Sequence, residues 1–171
     1  MNKIAFVVGI IAVILYLLGY LQKERKNIIF LNASSRFLYI LQYILLSAFE
    51  GAVLDIAGII SSVLAQKKEQ KFIRKNVKMF FIGVNIIIIA MGLTLYKNLY
   101  SLLPIIGVLL HTSAFWIDDE KTIRRVSLLG CPFWLVYNFV SGAYGSCIGD
   151  VLSIGSLSIA MVRYDWMRKS I

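Results

Sequence analysis

Apolar residues along the chain fall into seven blocks, at residues 4–21, 28–46, 51–65, 79–96, 102–117, 123–140 and 145–162, divided by short polar runs. None alternates apolar and polar positions with the period that a barrel strand needs, and only two prolines interrupt the 171 residues. A hydrocarbon core takes about 20 helical residues to cross, and every block but the third approaches that length. The pattern predicts an all-α polytopic membrane protein, in which each backbone polar group is satisfied inside its own helix.

The first block follows Met1-Asn2-Lys3, a basic start like that of a signal peptide. Its apolar run is about 18 residues, longer than an h-region, and no small-x-small cleavage site follows. It is expected to be a retained span. The third block, at 15 residues with Asp55 inside it, reads either as a span or as a re-entrant hairpin that would leave six crossings.

Loop charge decides between them. Of the 18 lysines and arginines, 15 fall in alternate loops: Lys23, Arg25 and Lys26; Lys67, Lys68, Lys71, Arg74, Lys75 and Lys78; Lys121, Arg124 and Arg125; Arg163, Arg168 and Lys169. Lys3 and Lys97 belong to the other set, and Arg36 lies inside the second block. Cations stay on the cytoplasmic side of a bilayer, so this split predicts seven spans with the N-terminus outside and the C-terminus in the cytoplasm. A third block that failed to cross would break the alternation.

A shift of 94 residues overlays the second and third blocks on the sixth and seventh. Tyr43 then meets Tyr137, Leu41 meets Leu135, Ser47 meets Ser141 and Gly51 meets Gly145, with Asp55 one place from Asp150. Two parallel copies of three helices need one inverting helix between them. The expected plan is a single membrane domain over residues 1–171, with a first repeat at about 4–65, a linker helix at about 79–96 and a second repeat at about 102–162 (3+1+3). Parallel repeats about an axis along the membrane normal are a known transporter plan.

Composition agrees: 59% of residues are hydrophobic and mean hydropathy is +0.78. The net charge of +9 is absorbed by anionic headgroups beside cytoplasmic loops, so no nucleic-acid partner is expected. Cys131 and Cys147 form no ligand cluster and read as packing thiols. Metal-ligand spacing, a phosphate loop and a nucleophile–base pair are all missing from the sequence, so neither an enzyme nor a cofactor or metal site is expected. Asp118-Asp119-Glu120 reads as a solvated turn with an acidic helix start.

Intramembrane carboxylates are expensive and face bundle interiors or watery cavities. At a helical rise of about 1.5 Å per residue, Asp55, Asp150 and Asn138 fall roughly 6–8 Å below the outer face. Tyr43 and Tyr137 lie near that level and Trp134 about a turn deeper. Trp134, Tyr137 and Asn138 share one helix face by their i, i+3, i+4 spacing. These six residues are the candidate walls of a pocket between the repeats; core packing, interfacial solvation and an aromatic belt are the plainer readings. Arg36, eight residues into its block and roughly 12 Å from the cytoplasmic end, either snorkels inward or serves as counter-ion to a buried acid. With Asp55 about 12 Å above it, a direct pair needs tilt or a bridge such as Gln42. His111, the lone histidine, reads as an interhelical contact or a relay. Pro104 opens a helix. Pro132, inside the sixth block, reads as packing relief or as a hinge.

The runs LQKERK (Leu21–Lys26), LPIIGVLL (Leu103–Leu110) and WLVYNFVSGAYG (Trp134–Gly145), with the closing Val162-Arg163-Tyr164, carry a resemblance over nearly the whole chain. It resembles the YgjV family of bacterial inner-membrane proteins, which implies location in the bacterial inner membrane and assigns no activity. The 3+1+3 plan also resembles that of the SWEET and PQ-loop transporters, although this chain has no Pro-Gln dipeptide and no proline in the first block to match Pro104. The leading expectation is a small-solute transporter or facilitator working on an unknown polar solute. The alternative is a non-transporting membrane factor, a partner-binding or envelope-maintenance subunit whose polar residues glue helices together. The bilayer itself is the expected partner, and homo-oligomer formation stays open.

Overall fold

The computed structural model describes residues 2–20 and 25–166; Lys23, Arg168 and Lys169 lie outside it. Every apolar block is a helix: α1 (Lys3–Tyr20), α2 (Arg25–Leu45), α3 (Phe49–Gln66), α5 (Val77–Thr94), α6 (Leu102–Trp116), α7 (Glu120–Val140) and α8 (Tyr144–Met161). A five-residue helix, α4 (Lys71–Lys75), sits in the six-cation loop, where no element was expected. A 3₁₀ turn (Leu99–Ser101) leads into α6, and a π-helical turn (Val162–Trp166) closes the described chain. The third block is a full 18-residue helix, Phe49–Gln66. It joins Val77–Thr94, Leu99–Trp116 and Tyr144–Trp166 as four helical segments long and apolar enough to cross a membrane. The bundle's outside is apolar, with Phe30, Phe37, Ile86, Leu129, Phe139 and Ile159 all exposed.

Local chemistry sets the ends of these helices. The α2–α3 and α7–α8 turns each contain one left-handed residue, Ser47 at φ 55° and Gly142 at φ 74°. Each turn closes with the same bond five residues back, from Ala48 N to the Tyr43 carbonyl (2.9 Å) and from Ala143 N to the Asn138 carbonyl (2.8 Å). That geometry satisfies the last carbonyls of a helix as a Schellman motif does. Asp119 caps α7 by accepting the Thr122 N–H at 2.8 Å. The Thr122 hydroxyl and N–H hold its carboxyl below the usual range, as the acidic helix start predicted.

The bundle has two distinct ends. Both tight turns lie at one, the hairpin end. The start of α1 joins them, because Asn2 Nδ2 donates to the Leu45 carbonyl (3.2 Å), as does the turn before α6, where Ser101 Oγ donates to Glu50 (3.5 Å). At the far end Lys68 pairs with Asp118 and Arg124 with Asp165. The cations between residues 67 and 78 and between 121 and 125, with Arg163, gather there, whereas Lys3 and Lys97 lie at the hairpin end.

Six helices close into a ring. Going round it, α1 packs on α2, α2 on α3, α3 on α6, α6 on α7, α7 on α8, and α8 back on α1; α5 stands outside against α3 and α6. The α1–α8 seam depends on glycine. A Cβ on Gly145 would stand 2.9 Å from Gly9 Cα and 2.9 Å from the Phe6 carbonyl oxygen, backbone atoms that cannot rotate away. Gly145→Ala is expected to lose about 1–3 kcal/mol by overpacking, read as a lower thermal midpoint of the detergent-solubilised protein. Gly155→Ala in the same helix, with nothing within 4 Å of its added carbon, should show no such loss.

The element bounds correct one expectation. Moved by 95 residues, α2 and α3 fall on the bounds of α7 and α8, and Ser47 and Ala48 fall on Gly142 and Ala143. The register of 94 maximises identities such as Tyr43 with Tyr137, but it is one residue out. One residue is about 100° of helix rotation, so the error exchanges a wall-facing side chain for its neighbour. At 95, Asp55 falls on Asp150 and Tyr43 on Asn138.

Candidate functional site

A cavity of about 90 Å³ occupies the middle of the ring, and residues of all six ring helices line it. Tyr16 comes from α1, Arg36, Tyr39 and Tyr43 from α2, and Asp55 from α3. The other side is built by His111 of α6, by Cys131, Trp134 and Asn138 of α7, and by Ser146, Asp150 and Ser153 of α8. Both acids therefore face one chamber, each six residues into its helix and about 9 Å from the hairpin end at 1.5 Å per residue.

Arg36 donates from Nη1 to Asp55 Oδ1 at 2.9 Å, a direct ion pair with both side chains largely buried. Of the two readings of Arg36 this is the counter-ion one, and it corrects inward snorkelling and the need for a bridge. The tight α2–α3 turn sets Arg36 about 13 Å and Asp55 about 9 Å from the same end, a gap that the arginine stem spans. Gln42 is not the bridge. It is fully buried, accepts the Ser146 hydroxyl and packs against Gly9, tying α2 to α8 and α1.

A second network starts at Tyr43, whose Oη donates to Asn138 Oδ1 at 2.7 Å. Asn138 Nδ2 in turn donates to Asp150 Oδ2, also at 2.7 Å. The tyrosine thus orients the amide so that its donors meet the carboxylate. Trp134 lies stacked on Tyr43 at 6.3 Å and edge-on to Tyr137 at 6.1 Å. His111 Nε2 lies 3.0 Å from the Ser127 carbonyl. A carbonyl only accepts, so Nε2 carries the hydrogen and Nδ1 is left as an acceptor. The histidine is the interhelical contact that the sequence suggested, and it lines the cavity as well.

Glycines open space for these side chains. A Cβ at Gly58 would come within 2.9 Å of Arg36 Nη1, one at Gly107 within 2.7 Å of Trp134 Cδ1, and one at Gly130 within 2.5 Å of His111 Cδ2.

Tyr137 stands apart from the cavity. It is buried under the hairpin end, where its hydroxyl accepts the Gly51 N–H at 2.9 Å. From there it lines a separate outer depression, shared with Glu50, Asn98 and Ser101. Glu50, which sequence reasoning passed over, is buried there with Lys97 at 3.5 Å. Pro132 lies exposed on the outer side of α7, which runs through it as continuous helix. The cavity residues nearest the hairpin end, Tyr43 and Asn138, are buried, whereas Tyr16, Arg36, His111 and Ser153 keep partial exposure farther down. No group of three His, Cys, Asp or Glu among the described residues is placed to hold a metal ion.

Tyr16, Tyr39, Ser146 and Ser153 were missed by sequence reasoning, yet for the two tyrosines a signal existed. At a spacing of 95, ten wall residues form five pairs: Tyr16 with His111, Arg36 with Cys131, Tyr39 with Trp134, Tyr43 with Asn138, and Asp55 with Asp150. A register one residue shorter hides all but the acids.

No curated protein and no solved structure matches the chain. The description of one family, Imp-YgjV, bacterial inner membrane protein, matches residues 3–168. With its apolar helices and lipid-ready surface, the chain belongs to the YgjV family of bacterial inner membrane proteins.

Proposed function

We propose that this protein is a small-solute transporter or facilitator. In this reading α1, α2, α3, α5, α6, α7 and α8 each cross the bilayer, N-terminus outside and C-terminus in the cytoplasm. The helices α1–α3 and α6–α8 form two parallel repeats, and α5 is the linker. The closed ring with α5 outside it supports the 3+1+3 plan. The cations at the far end support the orientation.

One observation carries the functional reading: the five residue pairs spaced by 95 all meet in one polar, aromatic-walled chamber at the seam of the two halves. Interhelical glue requires polar contacts but no cavity. A chamber sealed by Tyr43 and Asn138 at one end and less buried toward the other is what one state of an alternating-access cycle needs. In this role Asp55, Asp150, Asn138, Trp134 and Tyr43 contact the solute, with Arg36 and His111 beside them. Tyr137 and Gln42 brace the closed end. Pro132, which deprives the Leu128 carbonyl of its helical partner, is where α7 bends between states.

The test is flux. Purified protein in liposomes should give saturable, counterflow-competent uptake of at least one solute from a broad panel of small polar compounds, lost in Asp55→Asn with Asp150→Asn. Protein that binds and moves none of them would refute the reading. A double variant that keeps its cellular function would instead favour the partner-binding or envelope-maintenance role.

A further inference from the structure

The two halves of the cavity agree in their acids and differ in their cations. Asp55 has Arg36 at 2.9 Å. The residue 95 positions beyond Arg36 is Cys131, which lines the same cavity without charge. Asp150 is consequently left with a neutral donor, Asn138 Nδ2 at 2.7 Å, and has no cation within ion-pair distance among the described residues. With Arg36 paired to Asp55 and His111 Nε2 engaged by a backbone carbonyl, Asp150 is the acid of the chamber without a cationic partner among the described residues.

A carboxylate taken out of water without a partner is costly, and inside a membrane such a group faces a pathway or a counter-ion. No fixed cation among the described residues stands beside it, which leaves the position open to a mobile one. The walls select its chemistry. Tyr16, Tyr39, Tyr43 and Trp134 line the cavity with Asp150, and aromatic faces attract organic cations through their ring quadrupole. A metal ion is less suited, because no group of three His, Cys, Asp or Glu among the described residues is placed to hold one. Drug-sized ligands occupy cavities of about 300–1,000 Å³. The roughly 90 Å³ present admits only a few heavy atoms.

We propose, resting on the transporter reading above, that the cavity binds a small alkylated ammonium ion. Its charge sits at Asp150, in the place where the first half carries the Arg36 guanidinium, and its alkyl groups lie against Tyr39, Tyr43 and Trp134. Asn138, held by Tyr43, aims the carboxylate at it.

Calorimetric titration of the full chain in nanodiscs with tetramethylammonium tests this. Saturable binding is expected, with no binding of the neutral isostere tert-butanol. Asp150→Asn should weaken binding at least about tenfold, or 1.4 kcal/mol, and Tyr39→Leu several-fold by removing one ring. Should Asp150→Asn fail to fold, Tyr39→Leu and the tert-butanol comparison decide alone. Absent binding, binding indifferent to Asp150, or equal binding of tert-butanol overturns the proposal. If other solutes are transported while no ammonium binds, this inference falls and the transporter reading stands. If tetramethylammonium binds through Asp150 but no solute moves, the reverse holds.

Discussion

Arg36→Leu is expected to destabilise the protein by about 3–5 kcal/mol, the usual result of removing one partner from a buried ion pair. Asp55 is 5% exposed, and the guanidinium 2.9 Å away is its only ion-pair partner among the described residues. No other cation among the described residues stands within ion-pair distance to replace it. The magnitude comes from the stranded charge more than from the lost attraction, so removing both charges should undo most of it. Arg36→Leu with Asp55→Leu is expected to recover the larger part of the loss, since apolar replacement of a whole buried pair is often neutral. Lys97→Met supplies the contrast. That lysine is 59% exposed and 3.5 Å from Glu50, so its removal should cost at most about 1 kcal/mol. Thermal unfolding of the four detergent-solubilised proteins measures all of this. A double variant as unstable as Arg36→Leu would mean that the arginine matters for packing rather than for charge.

Cysteine labelling should give an all-or-none pattern. In a background with Cys131 and Cys147 replaced by serine, Phe49→Cys, Glu69→Cys and Leu99→Cys place single thiols at exposed positions flanking α3 and α5. A membrane-impermeant maleimide added to intact spheroplasts is expected to label positions 49 and 99 and to reach 69 only after permeabilisation. The physical cause is the concentration of lysine and arginine at the far end, because loop cations resist transfer across the membrane. If α3 were re-entrant, 49 and 69 would label from one side. If the chain ran the other way, the pattern would invert.

The seven helices were legible because each coincides with an apolar block of the sequence. Their starts were less so. Both α2 and α7 begin three residues before their apolar blocks, at Arg25 and Glu120, since charged residues at a helix start remain helical while hydropathy registers only the apolar ones. Asp55, Asp150, Asn138, Trp134 and Tyr43 were found from charge, depth and face, and they do line one cavity. Tyr137 was placed there by its depth and by the face it shares with Trp134 and Asn138, yet it lies outside the cavity, at the hairpin end. Arg36 is the counter-ion that one of its two readings offered; the bridge seemed necessary because its depth was counted from the cytoplasmic end, whereas a short turn makes distance from the hairpin the quantity that governs contact with α3. Tyr16 and Tyr39 had no signal beyond their 95-residue spacing to His111 and Trp134, which unlike residue types concealed.

On the proposed 3+1+3 plan, the hydrogen bond between Tyr43 and Asn138 joins two positions, 95 residues apart, that correspond to one another in the two halves. In a homodimer of identical three-helix chains such a position would meet its own copy across the dyad, tyrosine against tyrosine or asparagine against asparagine. A donor facing a complementary acceptor becomes available only once both halves are joined in one polypeptide and can mutate separately. The same covalent union lets one half keep an arginine where the other has a cysteine, so the chamber can be lopsided in charge while its scaffold stays nearly symmetric. On that plan, carrying both repeats in one chain matters less for holding them together than for allowing them to differ.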